Sequence, residues 1–132
     1  MSQENVEVVK RAVAAVNERD VDAYLACCTD DVRLSTPVTD VAGVYEGPDG
    51  IRRFFGDIAD TGPDFQLTIE RAEAVGPDRV LTFMLVTATW RASGIPGDSR
   101  TGNVYDFAGG KIEHIRIFVD RAEALEAAGL RE

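Results

Sequence analysis

Histidine occurs once in the 132 residues, as His114, and cysteine twice, as the neighbours Cys27 and Cys28. A structural zinc site needs four such ligands at set spacings and a catalytic one three, so no metal centre is expected. A histidine-based triad could draw only on His114, and no carboxylate stands at a telling distance from it. Adjacent thiols cannot staple distant parts of a chain, so Cys27 and Cys28 are read as small buried apolar side chains on a helix. Basic residues are also few, 14 against 23 acidic ones, and the formal net charge of −9 repels nucleic acid and anionic membranes. No apolar stretch is long enough to span a bilayer, and the opening MSQENVEVVK carries acids where a secretory signal needs positive charge. A cytoplasmic location is the expectation. Repeats, low-complexity tracts and linkers are missing too.

What is present is a globular composition, 45% hydrophobic and 28% charged, in a length that fits one domain over residues 1–132. Such a chain buries roughly two thirds of its unfolded surface, enough for a core and a cavity. Val6, Val9, Val13 and Val16 recur at helical spacing between Gln3 and Asn17, opposite Glu4, Glu7, Lys10 and Arg11. Asp20 can cap a second helix running through about Cys28, which would bury Val21, Tyr24, Leu25 and Cys28. Val32, Leu34 and Thr36 then alternate with Arg33 and Ser35, a strand ended by Pro37. After a loop, Gly47 and Pro48 open a third helix that buries Ile51, Phe54, Phe55 and Ile58 and stops at Gly62 and Pro63.

From Phe65 onward β-branched and aromatic runs are broken at Gly76 to Asp78, at Ser93 to Asp98, and at Gly109 and Gly110. Four strands joined by three hairpins are expected, two of them, Arg79 to Ala92 and Ser99 to Ala108, long enough to bend. A short helix from Arg121 to Ala128 closes the chain. Helices first and a meander afterwards make an α+β architecture in which helices cover one face of a curved antiparallel sheet. The hollow beneath such a sheet suits a small ligand.

The opening MSQENVEVVKRAVAAVNERDVDAYLACCTDDV, the segment VYEGPDGIRRFF and the close GGKIEHIRIFVDRAEALEAAGL together resemble the SnoaL-like families of the nuclear-transport-factor-two-like superfamily. The closing motif is the most specific: a glycine turn, a lysine, an alternating strand, an aspartate and a helix, in that order. The resemblance implies a cone-shaped, cystatin-like α+β barrel wrapped on three N-terminal helices, with a pocket inside the cone and usually a dimer. The superfamily holds isomerases, cyclases, hydrolases and dehydratases beside binding and scaffold domains, so the fold does not choose among them.

Residue by residue, the resemblance withholds the known chemistries. Ketosteroid isomerases carry a basic aspartate directly before Pro-Val, where Thr36 precedes Pro37 and Val38 here. Their oxyanion tyrosine falls on Ala12, and the second oxyanion donor on Asn103, which can still donate a hydrogen bond. Limonene-type epoxide hydrolases place a catalytic aspartate on the last strand, where Ile115 and Ile117 stand, and their Arg-x-Asp pair has no counterpart in Met84 to Thr89. SnoaL-type cyclases pair a carboxylate with a histidine. If Ile115 and Ile117 line the cavity, His114 points to the opposite face.

Parity and resemblance together give the candidate pocket: Cys28, Thr36, Phe55, Trp90, Asn103, Tyr105, Ile115, Ile117 and Val119. Whether Trp90 or Arg91 faces inward is open at this stage. Asp120 reads chiefly as a helix cap and Tyr24 as plain core. No catalytic residue, cofactor or metal is assigned. Two functions remain: binding of an apolar small molecule, with cofactor-independent isomerase, cyclase or hydrolase chemistry open, or a non-catalytic dimeric scaffold. A homodimer through the outer sheet face is expected, because Ile112 and Phe118 would make an apolar patch there.

Overall fold

A computed structural model describes residues 2–36, 44–62, 64–89 and 96–130. The first element, α1 (Ser2–Glu18), buries Val6, Val9, Val13 and Val16 as its periodicity requires, and Ala12 and Ala15 besides. It ends at Arg19, whose φ of 59° is the left-handed turn usually given to glycine. The Arg19 guanidinium holds that turn by donating to the Val16 and Phe65 carbonyls at 2.8 and 2.7 Å. Then α2 (Val21–Ala26) starts under the Asp20 carboxylate, which accepts from the Ala23 N–H. The third helix, α3 (Gly47–Thr61), has Pro48 in its first turn and buries Ile51, Phe55 and Ile58.

The strands are β1 (Cys28–Ser35), β2 (Tyr45–Glu46), β3 (Gln66–Ala74), β4 (Arg79–Thr89), β5 (Pro96–Ala108) and β6 (Lys111–Phe118). They form one curved, unclosed sheet in the order β2-β1-β6-β5-β4-β3. All neighbours are antiparallel except β1 and β6, which run parallel. Gly109 and Gly110, with φ of 59° and 80°, make the two-residue turn between β5 and β6. The helices α1, α2 and α3 lie on the inner face of the sheet. Asn17 ties α1 to β3 by both of its amide atoms, accepting from Leu67 N–H at 2.8 Å and donating to Leu67 C=O at 2.9 Å. The last helix, α4 (Arg121–Ala128), packs on the outer face, where Ala124, Leu125 and Ala128 bury Leu81 and Val104.

The strand β5 opens at Pro96 and not at Ser99, and three further details depart from the pattern of the sequence. The second helix stops at Ala26, and β1 begins at Cys28, because the Cys27 carbonyl accepts from Ile112 N–H at 2.8 Å and joins the β6 ladder. The two-residue β2 stands where a loop was expected, since two residues are too few for any period to show. Most consequential is a bulge in β6. Phe107 faces Ile112 and Asp106 faces His114, so Glu113 is an extra residue and the alternation flips across it. Ile112 is therefore fully buried in the inner core and not on the outer face, and Phe118 packs against the cluster under α4. The apolar outer patch expected of these two residues does not form. Trp90 and Arg91, with Pro37 and Pro63, lie outside the described residues.

Candidate ligand-binding cavity

Between the inner face of the sheet and the helices lies a cavity of about 320 Å³. Its helical side is Val13 and Val16 of α1, Tyr24 of α2 and Phe54 of α3. The sheet side is Leu34 of β1, Ile115 and Ile117 of β6, Leu67 of β3 and Val86 of β4. Polar groups come mostly from one strand, β5, whose inward positions Ser99, Thr101, Asn103 and Tyr105 follow the pleat. Thr36, Tyr45 and Phe65 complete the wall. Among the described residues no charged side chain lines the cavity, and none of their His, Cys, Asp and Glu side chains cluster in threes that could hold a metal ion.

Five of the nine residues singled out from the sequence stand on this wall: Thr36, Asn103, Tyr105, Ile115 and Ile117. Four do not. Cys28 is buried with its thiol donating to the Tyr24 carbonyl at 3.3 Å, which places it behind the wall. Phe55 sets its ring edge-on to Tyr24, with centroids 5.4 Å apart, and borders a separate shallow hollow with Arg19 and Val21. Val119 is 69% exposed, because the strand ends at Phe118 and the chain turns there into α4. Trp90 falls outside the described residues. The sequence also left members out. Ser99 and Thr101 follow the same alternation as Asn103 and were findable from it. Tyr24 was read as core, since a helical period cannot tell a core position from a cavity wall. Tyr45 sits in a segment without periodicity.

The electrostatics of the wall are those of neutral groups. Burial pushes the Tyr105 phenol up to about 12, against an opposing hydrogen bond from the Asn103 amide. Burial likewise holds Tyr24 well above the usual phenol range, with Tyr105 adding to it. Both are phenols, not phenolates, at neutral pH. Asn103 is 4% exposed; its Nδ2 donates weakly to Met84 Sδ at 3.5 Å, and its Oδ1 has no hydrogen-bond partner among the described residues. The thiols offer no nucleophile: burial raises Cys27, and raises Cys28 to about 12.

Asp106 of β5 and His114 and Arg116 of β6 sit on the opposite face. Asp106 receives Arg79 at 2.7 Å and Arg116 at 3.0 Å. His114 Nε2 lies 3.1 Å from Ser35 Oγ, and burial, Arg33 and Arg116 depress its pKa against Asp106. Asp120 accepts from Ala122 and Glu123 N–H groups and caps α4.

A family model for the SnoaL-like domain matches residues 9–115. The chain belongs to the SnoaL-like domain family. Among solved structures, an uncharacterised cystatin-fold protein from Novosphingobium aromaticivorans is 31% identical to this SnoaL-like domain. It superposes with a TM-score of 0.74, covering 89% of this chain and 98% of that one. A Mycobacterium tuberculosis protein in complex with estradiol-17beta-hemisuccinate has a TM-score of 0.75 at 20% identity, covering 92% and 96% of the two chains. A protein of ketosteroid isomerase-like fold from Catenulispora acidiphila, in complex with trimethylamine, has 0.75 at 17%, covering 94% and 93%. At 20% and 17% identity the likeness is one of fold. No curated protein matches the sequence. No described helix is long and apolar enough to cross a membrane.

Proposed function

We propose that this SnoaL-like domain binds a neutral, apolar small molecule in the cavity under its sheet. The observation that carries the proposal is the wall itself: aliphatic and aromatic side chains, a few hydroxyls and one amide, with no charged group among the described residues. Affinity then comes from buried area, at about 25 cal/mol per Å², and orientation from the polar groups of β5. A charged ligand would lose its hydration with no counter-charge in reach. Two fold relatives were crystallised with small organic molecules, which supports a cavity put to this use.

The same wall argues for binding without acid and base catalysis. A general base must reach the proton it takes and carry a pKa near the working pH. The phenols are too weakly acidic, and Asp106 and His114 lie across the sheet. Turnover of a ketosteroid or of limonene epoxide is therefore not expected. Thermal-shift screening against steroids, terpenoids and aromatic polyketides tests the proposal. Stabilisation by neutral apolar compounds is the expected result, and a library that leaves the melting temperature unmoved would leave the dimeric scaffold as the reading. The proposal extends to a homodimer through the part of the outer face that α4 leaves uncovered. There Arg79, Asp106, Arg116 and His114 would make polar contacts in place of the apolar patch expected from Ile112 and Phe118. Light scattering that finds only monomer at micromolar concentration removes this part.

A further inference from the structure

Exposure along the cavity wall falls from one end to the other. On β5 Ser99 is exposed, Thr101 half-exposed, and Asn103 and Tyr105 buried. Thr36 and Leu34 on β1, and Ile117 and Ile115 on β6, step from half-exposed to buried in the same direction. Tyr24 of α2 is 4% exposed and acts electrostatically on by the Tyr105 phenol, which places its ring at the buried end.

The Tyr24 side chain is fixed but its hydroxyl is not spent. The ring meets Phe55 edge-on, and the residue's own carbonyl accepts from the Cys28 thiol at 3.3 Å. Tyr105, Cys28 and Cys27 influence the phenol through space, and no described residue hydrogen-bonds to it. Nor is the hydroxyl sealed, since the buried side-chain oxygens without a partner among the described residues are those of Thr82 and Asn103. An unpartnered hydroxyl that is not sealed, on a buried residue of the wall, opens on the cavity. The Tyr105 phenol is engaged with the Asn103 amide, so the free donor at this end is Tyr24.

Resting on the proposal that the cavity binds a neutral apolar molecule, we infer that this molecule carries a carbonyl oxygen at its inner end, which accepts the Tyr24 O–H. The aromatic ring draws on the phenol oxygen's lone pair, so a phenol donates a hydrogen bond more readily than it accepts one. A ketone brings an acceptor and no donor, and one O–H satisfies it. An alcohol brings a proton that needs a second partner at the buried end. The hydroxyl's own unmet hydrogen bond is recovered at the same time. The donor's role that the sequence suggested for Asn103 thus passes to Tyr24, held ready by Phe55 and by α2.

The test uses one bicyclic skeleton, tetralin and 2-tetralone, titrated by calorimetry into the wild type and into Tyr24→Phe. Removing the hydroxyl is expected to weaken 2-tetralone about tenfold, as the loss of one buried hydrogen bond implies, and to leave tetralin as it was. Infrared spectra of 2-tetralone with an isotope-labelled carbonyl should show the bound C=O stretch in the wild type below its value in cyclohexane, and back near that value in Tyr24→Phe. The variant should melt no lower than the wild type, because its hydroxyl has no partner to lose. Equal 2-tetralone affinity in the two proteins, or a C=O stretch in the wild type at the cyclohexane value, overturns the inference and leaves the apolar cavity standing. A Tyr24→Phe chain that unfolds also overturns it, since the hydroxyl would then be bonded within the protein. Failure of both compounds to bind the wild type overturns the cavity proposal with it.

Discussion

The two faces of β5 put opposite chemistry a few ångströms apart. Inward, Thr101, Asn103 and Tyr105 look into a cavity with no charged side chain among the described residues; outward, Val104 packs under α4 and Asp106 joins two arginines. Strand alternation alone does this sorting, since neighbouring side chains must leave on opposite sides. The lesson concerns function. His114 and Asp106 are separated from the cavity by the sheet, and the described residues of the wall can bind and orient. A second difference is packing. The inner region around α3 is filled, whereas the cavity wall borders empty space.

That second difference gives the largest expected effect. Ile51 is fully buried in α3, so Ile51→Ala should cost about 2–5 kcal/mol in chemical denaturation. Ile117 is half-buried and already faces the cavity, so Ile117→Ala should cost only about 1–2 kcal/mol, because little packing is lost. Equal losses at the two positions would mean that the cavity collapses in solution.

On the outer face, Gly102 permits the close approach of α4. A Cβ built there would run into the Cβ of Ala124 and lie 3.2 Å from the Phe83 ring. Gly102→Ala should therefore cost about 1–3 kcal/mol and loosen α4, with ligand affinity kept, since the clash is on the far side of the sheet. Hydrogen exchange that rises in residues 121–128 while tetralin binding holds would sharpen the contrast; loss of binding would break it.

The smallest effect is a pH dependence that belongs to one face only. Burial first, then Arg33 and Arg116, lower the His114 pKa below its ordinary 6.5, and Asp106 opposes them in part. The unfolded chain then binds its proton before the folded one does. Stability attributable to His114 is thus full above about pH 7 and declines as pH falls through the ordinary value towards the lowered one. His114→Gln should flatten that part of the stability profile. Ligand binding should not follow it, because the Tyr24 and Tyr105 phenols on the wall titrate far above neutrality.

Most of the frame was legible in the sequence because it rests on strong periods. Val6 to Val16 on α1, Ile51 to Ile58 on α3 and the alternation of Val32, Leu34 and Thr36 each name a buried face, and the structure buries them there or turns them to the cavity. Where the period breaks, the sequence was silent. The extra residue at Glu113 moves Ile112 from one face to the other, and nothing in the order Lys-Ile-Glu-His-Ile marks a bulge. The cavity was less legible than the fold. Tyr24 and Cys28 would share one turn of the helix expected from the sequence and both are buried, yet only the tyrosine reaches the open space, α2 ending at Ala26 and Cys28 opening β1. Phe54 and Phe55 divide in the same way, one to the cavity and one to the packing around Tyr24. Helical spacing names the side of a helix that is covered; what covers it depends on the neighbouring elements.

The central claim is that a neutral molecule sits between the helices and the inner sheet. The most direct measurement is calorimetric titration of tetralin into the wild type and into Ile117→Trp, a substitution that fills the cavity from its wall, with thermal melts to show that both are folded. The account predicts measurable binding to the wild type, unchanged between about pH 6 and pH 9, and at least about tenfold weaker binding to Ile117→Trp. Equal binding by the two proteins, or none by the wild type, would contradict it.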